Sequence, residues 1–192
     1  AWSSDPNQYG HHWMVHRERE RSRDNFQCQV CGAPEKDRSH DIHHISPFRT
    51  FQSSELANQL DNLITLCPSC HRKAEAAVRV RSGLAGLSYA LGNLAPLFLM
   101  CDSRDLGVTS DPKSSLSDGK PTIIIFDRVP AGIGFSENLF EIHDVLLERA
   151  EALISKCACL NGCPSCVGPG GESVIGGKRE ALAILSELKP VR

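Results

Sequence analysis

Eight of the nine cysteines fall in short C-x-C or C-x-x-C spacings, and that spacing constrains the fold more than any other feature. In the first group, Cys28 and Cys31 form one pair and Cys67 and Cys70 another, with 35 residues between Cys31 and Cys67. A thiolate pair two residues apart grips one tetrahedral metal from a tight turn, and two such pairs complete a four-cysteine zinc site. The gap exceeds that of a plain zinc ribbon. It carries His43, His44 and Asn62, and His71 directly follows Cys70. Imidazoles and an amide held by a structural zinc make a site suited to chemistry rather than to folding alone. In the second group, Cys157, Cys159, Cys163 and Cys166 lie within ten residues. Four thiolates that close repel one another if ionised and crosslink if oxidised; one tetrahedral zinc resolves both problems. An iron–sulfur cluster is the other cation such a knuckle could hold.

The first stretch resembles an HNH endonuclease of the four-cysteine, ββα-metal type. The residues that carry the resemblance are "RDNFQCQVCG" at 23–32, "HDIHHISPF" at 40–48, Asn62, and "CPSCH" at 67–71. The resemblance covers about residues 13–80. It implies that His44 is the general base, that His43 and His71 bind a catalytic divalent metal such as Mg2+, and that Asn62 orients the base through the strand or loop. An imidazole with a pKa near 6.5 accepts a proton from water at neutral pH. Period-2 geometry sends His43 and His44 to opposite faces of a strand, so which serves the metal and which the water stays open at this level. Asp41 shares the face of His43, as an outer ligand or as a plain polar strand residue.

The second half resembles the zinc-binding domain that ends some DEAD/DEAH-box helicases, those of the mitomycin repair factor type. "LMCDSRDLG", "IIIFDRVPAGIGFSENLF", "CACLNGCPSCVGP" and "KREALAILSEL" carry that likeness over about 83–190. Such helicases have an ATPase motor upstream. This chain contains no G-x-x-x-x-G-K-[ST] phosphate loop, so it is not the motor itself. The resemblance implies a helicase partner, either a separate DEAD/DEAH-box subunit or a segment of one longer polypeptide.

The fold expected is α+β. A ββα-metal HNH unit with its N-terminal helix occupies residues 1–82. A small α/β zinc-binding domain with a C-x-C-x3-C-x2-C knuckle occupies 83–192. Helices are expected near 12–23, 53–60, 68–80, 83–95, 136–156 and 178–188. Strands are expected near 41–45, 96–102 and 122–127, with Pro96 interrupting the helix before it and 102–121 a polar loop. Asn62 to Leu66 is a short apolar run of the ββα unit. Three successive isoleucines at 123–125 suit a strand covered on both faces. Trp2 and Trp13 read as packing anchors, His40 as a loop residue, His143 as a satisfied core histidine, and Cys101 as a buried free thiol.

A net charge of −2 excludes a general polycation, so any DNA affinity must come from local patches. Arg17, Arg21, Arg72 and Lys73 are the candidates for phosphate contacts. The alternating Arg and Glu of residues 17–23 also read as a solvated face with internal ion pairs. No signal peptide and no apolar run of membrane length is visible. Metal-type cysteine spacing fits a reducing cytoplasm. The function expected is metal-dependent hydrolysis of DNA phosphodiester bonds beside a helicase, with two structural zincs and one catalytic metal, in DNA repair or defence against foreign DNA. The alternative is a non-catalytic zinc adaptor that holds a helicase on DNA.

Overall fold

The computed structural model describes residues 9–48, 51–129, 132, 134–169 and 177–188. Trp2 and most of the loop at 167–177 lie outside them. Contacts divide the chain into two units, the first reaching Ala76 and the second beginning at Ala77.

The first unit opens with α1 (Trp13–Arg23). It ends on two consecutive left-handed residues, Asn25 (φ 52°) and Phe26 (φ 56°). The Phe26 amide reaches back to Arg21 O at 2.8 Å, which reverses the chain into the first cysteine pair. Buried Asp24 accepts the amide of Thr65 and so ties the end of α1 to β2 (Leu63–Leu66). β2 pairs antiparallel with β1 (Asp41–His44), with His43 opposite Ile64 and His44 opposite Leu63. Between the strands, α2 (Ser54–Ala57) is capped by the Ser53 hydroxyl, which accepts the Leu56 amide. A 3-10 turn at Leu60–Asn62 follows. Ile42, Ala57, Leu63 and Leu66 form a small apolar core, too small to hold a unit of this size without the metal-type cysteines.

α3 runs from Pro68 to Leu99. Proline suits the first helical position because its missing N–H is an orphan there in any case. The two helices expected at 68–80 and 83–95 are thus one, and the strand expected after Pro96 is its last turn. Pro96 gives up one intrahelical bond near the helix end, and the helix closes only at Met100, which is left-handed at φ 51°. A short apolar run such as PLFLM does not distinguish strand from helix by periodicity. By length and composition α3 would pass for a membrane span, but half of its most apolar window is buried in the protein.

In the second unit, α3 carries Leu87, Ala90, Leu91 and Ala95 into the core. They meet Leu139 of α4 (Phe135–Glu141), Leu146, Ala150 and Ile154 of α5 (His143–Lys156), and Ala181 and Leu185 of α6 (Lys178–Leu188). The helix expected over 136–156 is broken at Ile142. His143 is exposed at that break, with Nδ1 2.6 Å from Phe140 O, rather than in the core. The polar stretch expected as a loop is largely β3 (Leu106–Ser114), paired antiparallel with β4 (Lys120–Asp127). Its Thr, Asp and Lys side chains alternate with buried or half-buried positions, a ribbon pattern that composition alone reads as loop. The isoleucines of β4 are half-buried rather than covered on both faces. Phe126 lies across the strand over Gly107, where a Cβ would fall 2.2 Å from its ring.

Candidate functional site

The sulfurs of Cys28, Cys31, Cys67 and Cys70 all lie within 4.8 Å of one another, with Cys31 and Cys67 3.7 Å apart. A tetrahedral zinc about 2.3 Å from each sulfur sets them about 3.8 Å apart, whereas a disulfide needs about 2.05 Å. The donor set therefore fits zinc. The loop is shaped for it: Gly32, left-handed at φ 72°, donates its amide to Cys28 O, and Cys28 donates to Ala33 O. Gln29 N bonds Thr65 O, which pins this turn to β2. Buried His40 holds the same loop through Nε2 on Ala33 O at 2.8 Å. Burial opposes ionisation of Cys28, but amide contacts at Cys67, Cys31 and Val30 hold its thiol down at about 6. Its neighbours push Cys70 up to about 12, Cys67 first. Four thiols at this spacing cannot all ionise without a cation.

β1 and α3 build a second cluster. His43 Nδ1 lies 3.5 Å from Glu75 Oε1, and His71 Nε2 lies 3.7 Å from the same oxygen. The two imidazoles meet edge to face with centroids 5.3 Å apart. His43, His71 and Glu75 each offer a ligand atom within 4.8 Å of the others, an N2O set suited to a divalent metal. Burial lowers the pKa of His43, against the pull of Glu75, which favours the neutral ring that metal ligation requires. Glu75 escaped the reading of the sequence. Its signal was its position one turn after His71, on the same face of the helix. Asp41 stands 3.9 Å from His71 Nδ1 and also pairs with Arg38.

His44 points the other way. The rings of Tyr9, Trp13 and Phe48 surround it at centroid distances of 5.4, 5.2 and 5.4 Å, the first two roughly parallel to it. Its Nε2 lies 3.0 Å from Asn58 Oδ1. Burial lowers its pKa, with Asn58 acting in the opposite sense and His43 adding to the fall. Asn62 does not touch this imidazole through any hydrogen bond described. Its Oδ1 accepts from Ser46 N at 2.8 Å, and its Nδ2 donates to Ser46 O and to Ala57 O at 3.2 and 2.8 Å. It thereby locks the turn that leaves β1, one residue past Ile45. A cleft of about 250 Å3 opens at this turn, with Ile45, Phe51, Leu56 and Gln59 in its wall.

The four cations singled out differ in their freedom. Arg21 donates from Nε and Nη2 to Glu35 at 2.7 and 2.5 Å and pairs with Glu18, so its fork is committed. Arg17 is half-exposed beside Met14, and Arg72 and Lys73 are exposed on the first turns of α3.

In the second unit, the sulfurs of Cys157, Cys159, Cys163 and Cys166 again lie within 4.8 Å. Neighbouring pairs are 3.5–3.7 Å apart, again the spacing of a tetrahedral zinc. Lys178 donates to Cys157 O and Cys159 O at 2.6 and 2.8 Å, which ties the start of α6 to the backbone of the knuckle. Tyr89 of α3 donates its hydroxyl to Pro164 O. Cys101 belongs to neither tetrad and is half-buried against the core rather than fully buried.

Comparison with known proteins agrees with this division. Residues 28–76 match the HNH endonuclease family, and residues 87–167 match the MrfA Zn-binding domain. The chain is 38% identical over 105 residues to the ATP-dependent helicase YprA of Bacillus subtilis, covering 55% of this chain and 14% of that helicase. It is 33% identical over 76 residues to protein MJ1572.1 of Methanocaldococcus jannaschii, covering 38% of this chain and 68% of that protein. A crystal structure of the DUF1998 helicase MrfA bound to DNA superposes with a TM-score of 0.52 at 36% identity, over 58% of this chain and 15% of MrfA. The chain thus spans about one seventh of the two helicases. It belongs to one family with MJ1572.1, and it joins a domain of the HNH endonuclease family to an MrfA Zn-binding domain.

Proposed function

We propose that the first unit is a metal-dependent endonuclease that hydrolyses DNA phosphodiester bonds, and that the second unit brings it to a helicase. The observation that carries this reading is the opposed placement of two adjacent histidines. β1 directs His43 toward His71 and Glu75 and directs His44 into an aromatic enclosure on the other face. A purely structural zinc module has no need of either arrangement. His43, His71 and Glu75 would hold the cation. When bound, that cation neutralises charge developing on the phosphate oxygens. His44 accepts the proton of the attacking water, and Asn62 keeps the turn after β1 in place. Arg17, Arg72 and Lys73 are the cations free to meet phosphates. The names of YprA and MrfA, a helicase and a DNA-bound helicase, support a motor and DNA as partners. The motor is a separate DEAD/DEAH-box subunit or another segment of one polypeptide. Two tetrads of free thiols suit a reducing cytoplasm, and a nuclease paired with a motor suits DNA repair or defence against foreign DNA.

Nicking of supercoiled plasmid with Mg2+, Mn2+ or Ni2+ tests the reading. His44→Ala is expected to slow cleavage by about two orders of magnitude or more while leaving both zincs bound. Full activity in both His43→Ala and His44→Ala would sink it. The second reading, a non-catalytic zinc adaptor between helicase and DNA, is favoured by the helicase likeness of the second unit, which needs no nuclease. Wild-type protein that binds DNA without nicking it under any of these metals would select the adaptor.

A further inference from the structure

We infer that Asn58 is a positioning residue that fixes His44 as its Nε2–H tautomer and leaves Nδ1 as the nitrogen with the free lone pair. The reasoning turns on which groups can only accept. The Asn58 side chain is buried, and its Nδ2 lies 2.7 Å from the backbone oxygen of Tyr9. A peptide carbonyl accepts and never donates, so the NH2 end of the amide must face Tyr9. That turns Oδ1 toward His44 Nε2, 3.0 Å away. The amide oxygen also only accepts, so Nε2 must carry the hydrogen. A neutral imidazole has one N–H, and its lone pair is therefore on Nδ1. A flipped amide would set Oδ1 against the Tyr9 carbonyl oxygen and lose that bond in a buried place. The backbone holds the amide at its post: Asn58 N donates to Ser54 O at the end of α2. Neither Asn58 nor the Tyr9 carbonyl belongs to the His–Asn–His letters of the motif.

The effect on rate rests on the proposed role of His44, but the tautomer does not, so the test reads them separately. Long-range 1H–15N spectra of the full chain, with its zincs and no added divalent metal, report the protonated nitrogen of each histidine directly. Wild type is expected to show His44 with a protonated Nε2 and an unprotonated Nδ1. Asn58→Asp retains an acceptor and should keep Nε2 protonated, although its second oxygen faces the Tyr9 carbonyl and lowers stability. Asn58→Leu removes the acceptor and should give mixed tautomers, with kcat for nicking lowered about tenfold or more at little change in KM. An Nδ1–H signal in wild type, or an unchanged pattern in folded Asn58→Leu, overturns the inference. Should Asn58→Leu fail to fold, the wild-type spectrum decides it. Loss of nicking in every protein with the Nε2–H pattern intact would strike the nuclease reading and leave this one standing.

Discussion

Glu75 completes a donor set that the letters His, Asn and His do not spell. It is the residue that both imidazoles of the cluster face, at 3.5 and 3.7 Å. Glu75→Ala is expected to weaken divalent binding on the order of a hundredfold, read by calorimetry with Mn2+, while zinc content stays unchanged. Equal Mn2+ affinity in the variant would remove Glu75 from the cluster. The histidines themselves were legible because β-strand alternation and the helix start after Cys67 follow from sequence. Glu75 carries only a weak signal, its i+4 spacing from His71 on one helix face, and Asn58 none, because an Asn in a loop has no signature apart from what it faces. The same holds for Glu20, which looked like a member of a solvated charge run. It is fully buried against Arg23 and Asp24. Burial raises its pKa from 4.5 to about 7, with Arg23 opposing and Asp24 reinforcing the shift. A raised folded pKa means that its contribution to stability is complete below pH 4.5 and is lost as pH rises through 7. Glu20→Gln should therefore melt above wild type at pH 8, with the gap closing toward pH 5. A gap that widens on acidification would refute the assignment.

At the scale of elements, the sequence announced helices better than it announced their ends. α1, β1, β2 and α6 lie close to the expected spans, bounded in the sequence by proline, the cysteine turns and the Gly-rich loop before α6. α3 was split in two because glycines and Pro96 read as punctuation. Those glycines serve close packing instead. Gly83 faces α6, where an added Cβ would lie 2.7 Å from Ile184 Cδ1 and 2.9 Å from Glu180 O. The isoleucine tip can swing aside, but the backbone oxygen cannot without moving the helix. Overpacking of this kind costs about 1–3 kcal/mol, more than the about 1 kcal/mol that alanine gains over glycine inside a helix. Gly83→Ala is thus expected to destabilise the second unit by about 1 kcal/mol, measured by denaturant titration. A variant more stable than wild type would mean that α6 does not approach α3 this closely. β3 was missed for another reason. Half of a two-stranded ribbon faces solvent, so its composition is that of a loop, and only the pairing with β4 distinguishes it.

At the scale of the whole chain, the cysteines decide stability, and both tetrads were fully legible because their spacing is itself the geometry. Each unit has its own set of four sulfurs and its own buried residues. The first unit has few large apolar residues in its core, so metal must supply most of what hydrophobic burial does not. Structural zinc contributes roughly 10 kcal/mol or more to folding in such sites. The second unit has a larger core drawn from four helices, β3 and the knuckle, and should depend less on its metal. Elemental analysis of purified protein is expected to give two zincs per chain, and one in each of Cys28→Ala and Cys163→Ala. Cys28→Ala should unfold the first unit at room temperature while the second still melts cooperatively. Cys163→Ala should lower the melting point of the second unit and leave the first intact, because Leu87, Leu91, Leu146 and Ile154 remain packed without the knuckle. Simultaneous collapse of both units on loss of either zinc would show that their stabilities are coupled, and a ratio of one zinc in wild type would remove one of the sites.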